Sequence, residues 1–265
     1  MTGQAHQVFV IARKEIIDHT RETRSLSASA MHLLMGPLII LLLSFSPAFA
    51  SGAKSSFVVA GMMSIFVLVA AVVGGMNVSM DMMAGERERQ SLLPLLANPI
   101  SRLTVMVGKW IAASLFAVMG IAVTLAAFAG VCQLRDLPAP LFQPSALLCW
   151  AALGVVPLAL LAAALQLAIS TACHTAKEAQ TYLSLLIFVP MGVAMFLLFM
   201  PTKLGPWATF IPIAGQQAIA ESGLSSGHFS ISQALALSLI TLWLAVATIV
   251  VAAKMLERDR VVYGR

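Results

Sequence analysis

The sequence predicts an all-α fold: a polytopic membrane helix bundle of six transmembrane helices, with an N-terminal interfacial helix and a re-entrant segment between spans five and six. Three observations carry that prediction. Of the 265 residues, 60% are hydrophobic and only 10% are charged, against about 25% charged in a soluble domain. Mean hydropathy is +0.93, more apolar surface than a soluble core can hide but not more than a bilayer can. The charges sit in short clusters between long apolar runs, so the net charge of +5 reads as membrane topology and not as a nucleic-acid footprint.

The elements follow in order within a single transmembrane domain, 1–265. Residues 5–24 carry Phe9, Val10, Arg13, Lys14, Ile16, Ile17, Arg21 and Arg24 at a helical period, the pattern of an amphipathic elbow lying in the membrane interface. The first span, 33–50, covers roughly 27 Å at the helical rise and holds Pro37 and Pro47 as candidate kinks. Ala48-Phe49-Ala50 fits a small-x-small cleavage pattern, but the charged segment before it is too long for a signal-peptide n-region, so the run reads as an anchor. The remaining spans are 57–80, 105–131, 146–171, 182–200 and 231–253. Segment 203–230 is apolar, but Pro206 and Pro212 interrupt it; it predicts a re-entrant or interfacial hairpin.

Six spans put both termini on one side. Of the 16 Lys and Arg residues, only Lys54, Arg135 and Lys203 then fall on the other side. Positive loops stay cytoplasmic, so both termini are predicted to be cytoplasmic in a plasma or inner cell membrane.

Catalytic chemistry finds no support. A phosphate loop needs G-x-x-x-x-G-K-[ST], yet Gly108-Lys109 is followed by Trp110 and no glycine stands five residues earlier. Gly223-Leu224-Ser225-Ser226-Gly227 satisfies G-x-S-x-G without the strand–turn–helix context of a hydrolase, and reads as a flexible external turn. The cysteines (Cys132, Cys149, Cys173) and histidines (His6, His19, His32, His174) show no ligand spacing, so no metal site is predicted. Met62, Met63, Met76, Met80, Met82 and Met83 read as apolar packing before a soft-metal path. Asn77, Gln166, Gln216 and Gln217 lie at membrane depth, with Glu221 beside the re-entrant segment. They read first as interhelical hydrogen bonds, with path lining as the functional alternative. Gly74-Gly75 and Ala112, Ala113, Ala117 and Gly120 permit close helix approach, either inside one bundle or between two chains.

The polar segment after span two is the most informative. Glu86-Arg87-Glu88-Arg89 is followed by Leu92, Leu93, Leu95 and Leu96, with Glu86 and Arg89 at helical i, i+3 spacing. From the residues alone this is either a solvated loop or a short amphipathic helix suited to a groove on a soluble partner. Glu86-Arg87-Glu88-Arg89, Leu92, Pro94-Leu95-Leu96, Pro99 and Gly108-Lys109 resemble the first cytoplasmic loop of type-2 ATP-binding-cassette (ABC) exporter permeases, in particular the sodium-efflux-type branch. There an ERERGTLEPLL…P loop follows the second span and a Gly-Lys segment opens the third. Gln90-Ser91 stands where that family has Gly-Thr, and Leu93 where it has Glu. Weaker resemblances cover the elbow (ARKEIIDHTR), the segment FIPIAGQQAIAESGLSSG and the C-terminal AAKMLERDRVVYG. Many such exporters carry a large external domain between spans one and two; this chain has about Ser51–Ser56 there.

The resemblance implies the permease subunit of an ABC exporter. Glu86–Leu96 would form a coupling helix, with Gly85, Glu86, Arg87, Glu88, Arg89, Leu92 and Leu95 coupling it to a separate ABC ATPase. ATP and Mg would bind that partner, with no cofactor on this chain. A second permease, identical or not, would complete a dimer in the lipid bilayer, and no nucleic acid is involved. An ATP-independent secondary transporter or channel-like protein is the alternative, and it expects midplane charges or broken helices.

Overall fold

A computed structural model describes residues 2–46, 55–135, 144–199, 209–226 and 230–257, and among these every regular element is helical. In chain order they are α1 (Thr2–Thr20), α2 (Thr23–Leu43), α3 (Ser55–Val73), α4 (Met76–Met80), a π turn over Asp81–Gly85, α5 (Glu86–Glu88), α6 (Leu92–Ala97), α7 (Arg102–Leu134), α8 (Pro144–Trp150), a second π turn over Ala151–Val155, α9 (Val156–Ala172), α10 (Ala176–Phe199), α11 (Ala214–Ser226) and α12 (Ile231–Met255). Among the described residues, four helical stretches are long and apolar enough to cross a membrane: Val59–Glu88, Arg102–Leu134, Leu147–Ala172 and Ile231–Met255. Ser27–Leu43 is a shorter apolar helix. The fold is a membrane helix bundle.

Helix α7 is the axis of the bundle: α1, α2, α3, α9 and α12 all pack on it. One end of the core gathers Leu68, Ala117, Phe128, Trp150 and Leu158. The other gathers Met82, Met83, Met106, Leu167 and Ala252, so these methionines fill apolar space. Leu239, Trp243 and Val246 stand exposed along α12 at i, i+4, i+7, the stripe a lipid-facing helix presents. The small residues form a seam inside the chain. A Cβ at Gly74 would lie 2.9 Å from Ala117 Cα, one at Gly75 2.8 Å from Ala113 O, and one at Gly120 3.0 Å from Gly74 Cα. Glycine alone lets spans two and three approach this closely.

Helix α2 ends earlier than the sequence suggests for an anchor running to Ala50. Beyond Leu43 the backbone turns: the Ser44 N–H bonds to Ile40 O at 2.9 Å and the Phe45 N–H to Leu42 O at 3.3 Å. Arg135, at the end of α7, donates to Ser44 Oγ and Ser44 O, both at 3.0 Å, and lies 4.3 Å above the Phe45 ring. Residues 47–50, including Pro47, lie outside the described residues, as do 203–208 and 227–229 of the predicted re-entrant segment 203–230.

Pro37, Pro157 and Pro190 sit inside long helices among the described residues, each depriving the carbonyl four residues earlier of its helical donor, and for the first two a neighbouring helix supplies one. For Pro37 that carbonyl is Leu33 O, and Thr124 Oγ1 of α7 donates to it at 3.2 Å. For Pro157 it is Leu153 O, which takes a hydrogen bond from Ser238 Oγ of α12. With no water in the hydrocarbon core, a neighbouring helix has to supply the donor. Thr124 is fully buried. Thr124→Val keeps its shape and strands Leu33 O, so it is expected to lower stability by about 1 kcal/mol, read as a drop in the unfolding midpoint of the purified chain.

Candidate functional site

The site is built where the elbow, span two and span three converge. Helix α1 turns one face inward: Ile11, Ala12, Glu15 and His19 are buried while Phe9 and Val10 are exposed. It lies directly on α7, because a Cβ at Gly108 would come 2.8 Å from Ile11 Cγ2. One residue on, Lys109 is fully buried. Its ammonium spends all three donors, on Glu15 Oε1 at 2.9 Å, Glu86 Oε2 at 2.8 Å and Met82 O at 3.0 Å. Met82 lies within the π turn Asp81–Gly85, where the shifted backbone register brings that carbonyl to the lysine. Lys14 Nζ stands 3.4 Å from Glu15 Oε1 and 3.5 Å from Glu86 Oε1, so two ammonium groups meet two carboxylates. Burial by itself would lower the Lys14 pKa, but Glu15 and Glu86 outweigh it and hold the group above its ordinary value.

The rest of the charged run is also paired within the chain. Arg87 donates to Cys173 O at 2.5 Å and Thr171 O at 2.8 Å, placing its guanidinium on the negative C-terminal end of α9. Glu88 Oε2 accepts from the Ala176 N–H at 3.0 Å, placing a carboxylate on the positive N-terminal end of α10. Arg89 pairs with Asp81, not with Glu86 as the i, i+3 spacing suggests. A Cβ at Gly85 would collide with Asp81 Oδ1, so that pair needs glycine beneath it. One short stretch thus ties span two to the elbow, to span three and to the turn between α9 and α10.

This corrects two expectations. Glu86–Leu96 is not one helix. The chain leaves α5 through a Schellman turn, in which Ser91 N–H bonds to Glu86 O and Gln90 N–H to Arg87 O, both at 2.9 Å. That turn puts Gln90 at φ 58, where L side chains are strained and glycine is not; the family's glycine falls at this position. Gln90→Gly is expected to raise stability by about 0.5–1 kcal/mol, strain relief being partly offset by the looser unfolded chain. An unchanged or lower unfolding midpoint would count against the turn. The apolar face also points inward: Leu92 is buried in the chain's own core and Leu95 packs against it. Exposed instead are Glu88, Arg89, Gln90, Ser91 and Pro94.

The membrane-depth amides act as staples between helices. Asn77 donates to Ser29 Oγ at 3.0 Å. Gln166 donates to Val72 O at 2.6 Å and accepts from Ser79 Oγ at 3.3 Å. Gln216 takes the Ile213 N–H on its side chain and the Trp150 indole N–H on its carbonyl, the latter at 3.1 Å; Gln217 donates to Ser64 Oγ at 3.1 Å. The Glu221 side chain lies outside the described residues. Sequence reasoning passed over Glu15 and His19. Both lie on the apolar stripe of α1, and Lys109, a few residues inside an apolar run, is the charge whose burial demands partners.

His19 extends the network. Its Nδ1 lies 2.9 Å from Glu15 O, its ring meets Phe116 edge-on, and its Nε2 lies 3.4 Å from Asp81 Oδ2. Burial would push the imidazole down from its ordinary 6.5, but the Asp81 carboxylate and the Glu15 carbonyl outweigh it, and the pKa is raised.

With this geometry in hand, relatives place the chain. A family model described as "ABC-2 family transporter protein" matches residues 9–260. The chain belongs to the ABC-2 transporter family. Within it the chain is similar to the ABC transporter permease protein NatB of Bacillus subtilis (strain 168), at 34% identity over 150 residues. That match covers 54% of this chain and 38% of NatB. The family's description is that of a transporter protein, and the chain spans well under half the length of NatB.

Proposed function

We propose that this ABC-2 chain is the permease subunit of an exporter driven by a separate ABC ATPase, and that the 85–99 loop couples the two. One observation carries the reading: Glu86, Arg87 and Glu88 each bond to a different element, so a displacement of the loop reaches α1, α7, α9 and α10 together. Bundles held this way switch between packed arrangements and do not deform gradually. The exposed residues from Glu88 to Pro94 meet the ATPase. The internal bonds carry its stroke.

In this reading ATP and Mg bind the ATPase, and two permeases with two ATPases make the working unit. Helices α2 and α10 complete six spans alongside the four long apolar stretches, with 203–230 re-entrant between the fifth and sixth. Both termini face the cytoplasm across a plasma or inner membrane. The test combines co-purification with side-specific labelling. The tagged chain should retain an ABC ATPase, and a cysteine at exposed Ser91 should react with an impermeant maleimide only from the cytoplasmic side. Labelling from outside, or purification without any ATPase, contradicts the proposal.

A further inference from the structure

A second polar feature lies beside the coupling network, and the exporter reading does not use it. His19, Glu22 and Asp81 bring one imidazole nitrogen and two carboxylate oxygens to within 4.8 Å of one another, at the edge of a polar cleft of about 410 Å³. They come from the end of α1, the residue preceding α2 and the π turn of span two. His19 is 4% exposed, and its Nε2 has no hydrogen-bond partner.

The tautomer follows from the partners. Glu15 O can only accept, so His19 Nδ1, 2.9 Å away, carries the proton. Whenever the ring is neutral, its unprotonated Nε2 stands 3.4 Å from Asp81 Oδ2, and two acceptors face each other. Only a positive species between them relieves that contact. A metal-binding histidine is held in the same way, with its second nitrogen fixed by a backbone carbonyl. Glu22 adds a third ligand from the solvent side. The cleft wall carries five carboxylates (Glu15, Asp18, Glu22, Asp81, Glu86) against three cations (Lys14, Arg21, Arg89); with Lys109 behind Glu15 and Glu86 as a fourth, a net negative charge remains, which favours a cation. Arg89 occupies Asp81 Oδ1 and leaves Oδ2 for it.

We propose that His19, Glu22 and Asp81 bind a divalent transition metal of the zinc class, with solvent in the open position. One imidazole with two carboxylates suits Zn²⁺ and Co²⁺ better than Mg²⁺ or Ca²⁺, which take all-oxygen shells. The ion fastens the end of the elbow to the base of span two. This revises the expectation of no metal site: spacing could not reveal a pair as far apart in sequence as His19 and Asp81.

The test is equilibrium dialysis of Zn²⁺ against the purified full-length chain, carrying a tag without histidine, after chelator washing and with excess Mg²⁺ present. One zinc per chain is expected. His19→Gln, Glu22→Gln and Asp81→Asn should each weaken binding at least tenfold, while exposed His6→Gln should not. Glu22→Gln replaces an exposed residue, so it reports even where the His19 variant fails to fold. Binding that is absent, or unchanged in Glu22→Gln, overturns the site and leaves a proton as the bridge between His19 and Asp81.

Discussion

Replacing Lys109 with methionine is expected to lower the stability of the chain by about 3–5 kcal/mol, the largest loss for any single position considered. Methionine matches the length and packing of the lysine stem, so little of the effect comes from a cavity. What changes is charge. Glu15 is 2% exposed and Glu86 9%; without the ammonium they are two buried carboxylates sharing one site, and Met82 O loses its donor. Lys14, more than half exposed, offers little relief. Adding Glu15→Gln and Glu86→Gln to Lys109→Met should restore most of the loss, because removing a whole buried ion cluster costs far less than orphaning part of it. Thermal or denaturant unfolding of the parent, Lys109→Met and the triple variant in one detergent reads both outcomes. A Lys109→Met chain within about 1 kcal/mol of the parent would mean the cluster is hydrated and not sealed beneath the elbow.

The second large effect is expected at Arg87. Arg87→Gln keeps a polar side chain but removes the two charge-assisted bonds to Thr171 O and Cys173 O. Bonds of that kind contribute about 1.5–3 kcal/mol each, and partial exposure of Arg87 places their joint loss at about 2–4 kcal/mol. Glu88→Gln should cost less, about 0.5–1 kcal/mol, because Glu88 is exposed and an amide oxygen still accepts from Ala176 N–H. The ordering separates the two ends of the turn. Arg87 holds the C-terminal end of α9 from a half-buried position, whereas Glu88 caps α10 from the surface. Near-equal losses would mean the charges act through general electrostatics.

How far the sequence reveals this depends on the range of the interaction. Apolar runs and sorted charges are local signals, and they are enough for a membrane helix bundle. The charged run Glu86–Arg89 also stands out locally, as does its likeness to a known loop. Its direction of engagement does not, because the partners of Arg87 and Glu88 lie more than eighty residues downstream. An alternating charge pattern looks the same whether it faces solvent or helix ends. The break at Gln90 was legible only indirectly, from the glycine at that place in the loop pattern this segment resembles. Lys109 was legible as a charge inside an apolar run, but Glu15 could be chosen as its partner only once α1 was laid on α7 at Gly108. The roles of Thr124 and Ser238 follow from the prolines, yet which helix supplies each hydroxyl is a matter of packing.

The central claim is that Arg87 passes force within the permease and does not itself hold the ATPase. Transport per ATP hydrolysed, measured for Arg87→Gln in the reconstituted complex, tests it most directly. The account predicts that the variant keeps its ATPase bound and hydrolysing while transport falls at least tenfold. An intact complex transporting at the parental ratio, or a folded variant that no longer binds the ATPase, would contradict it.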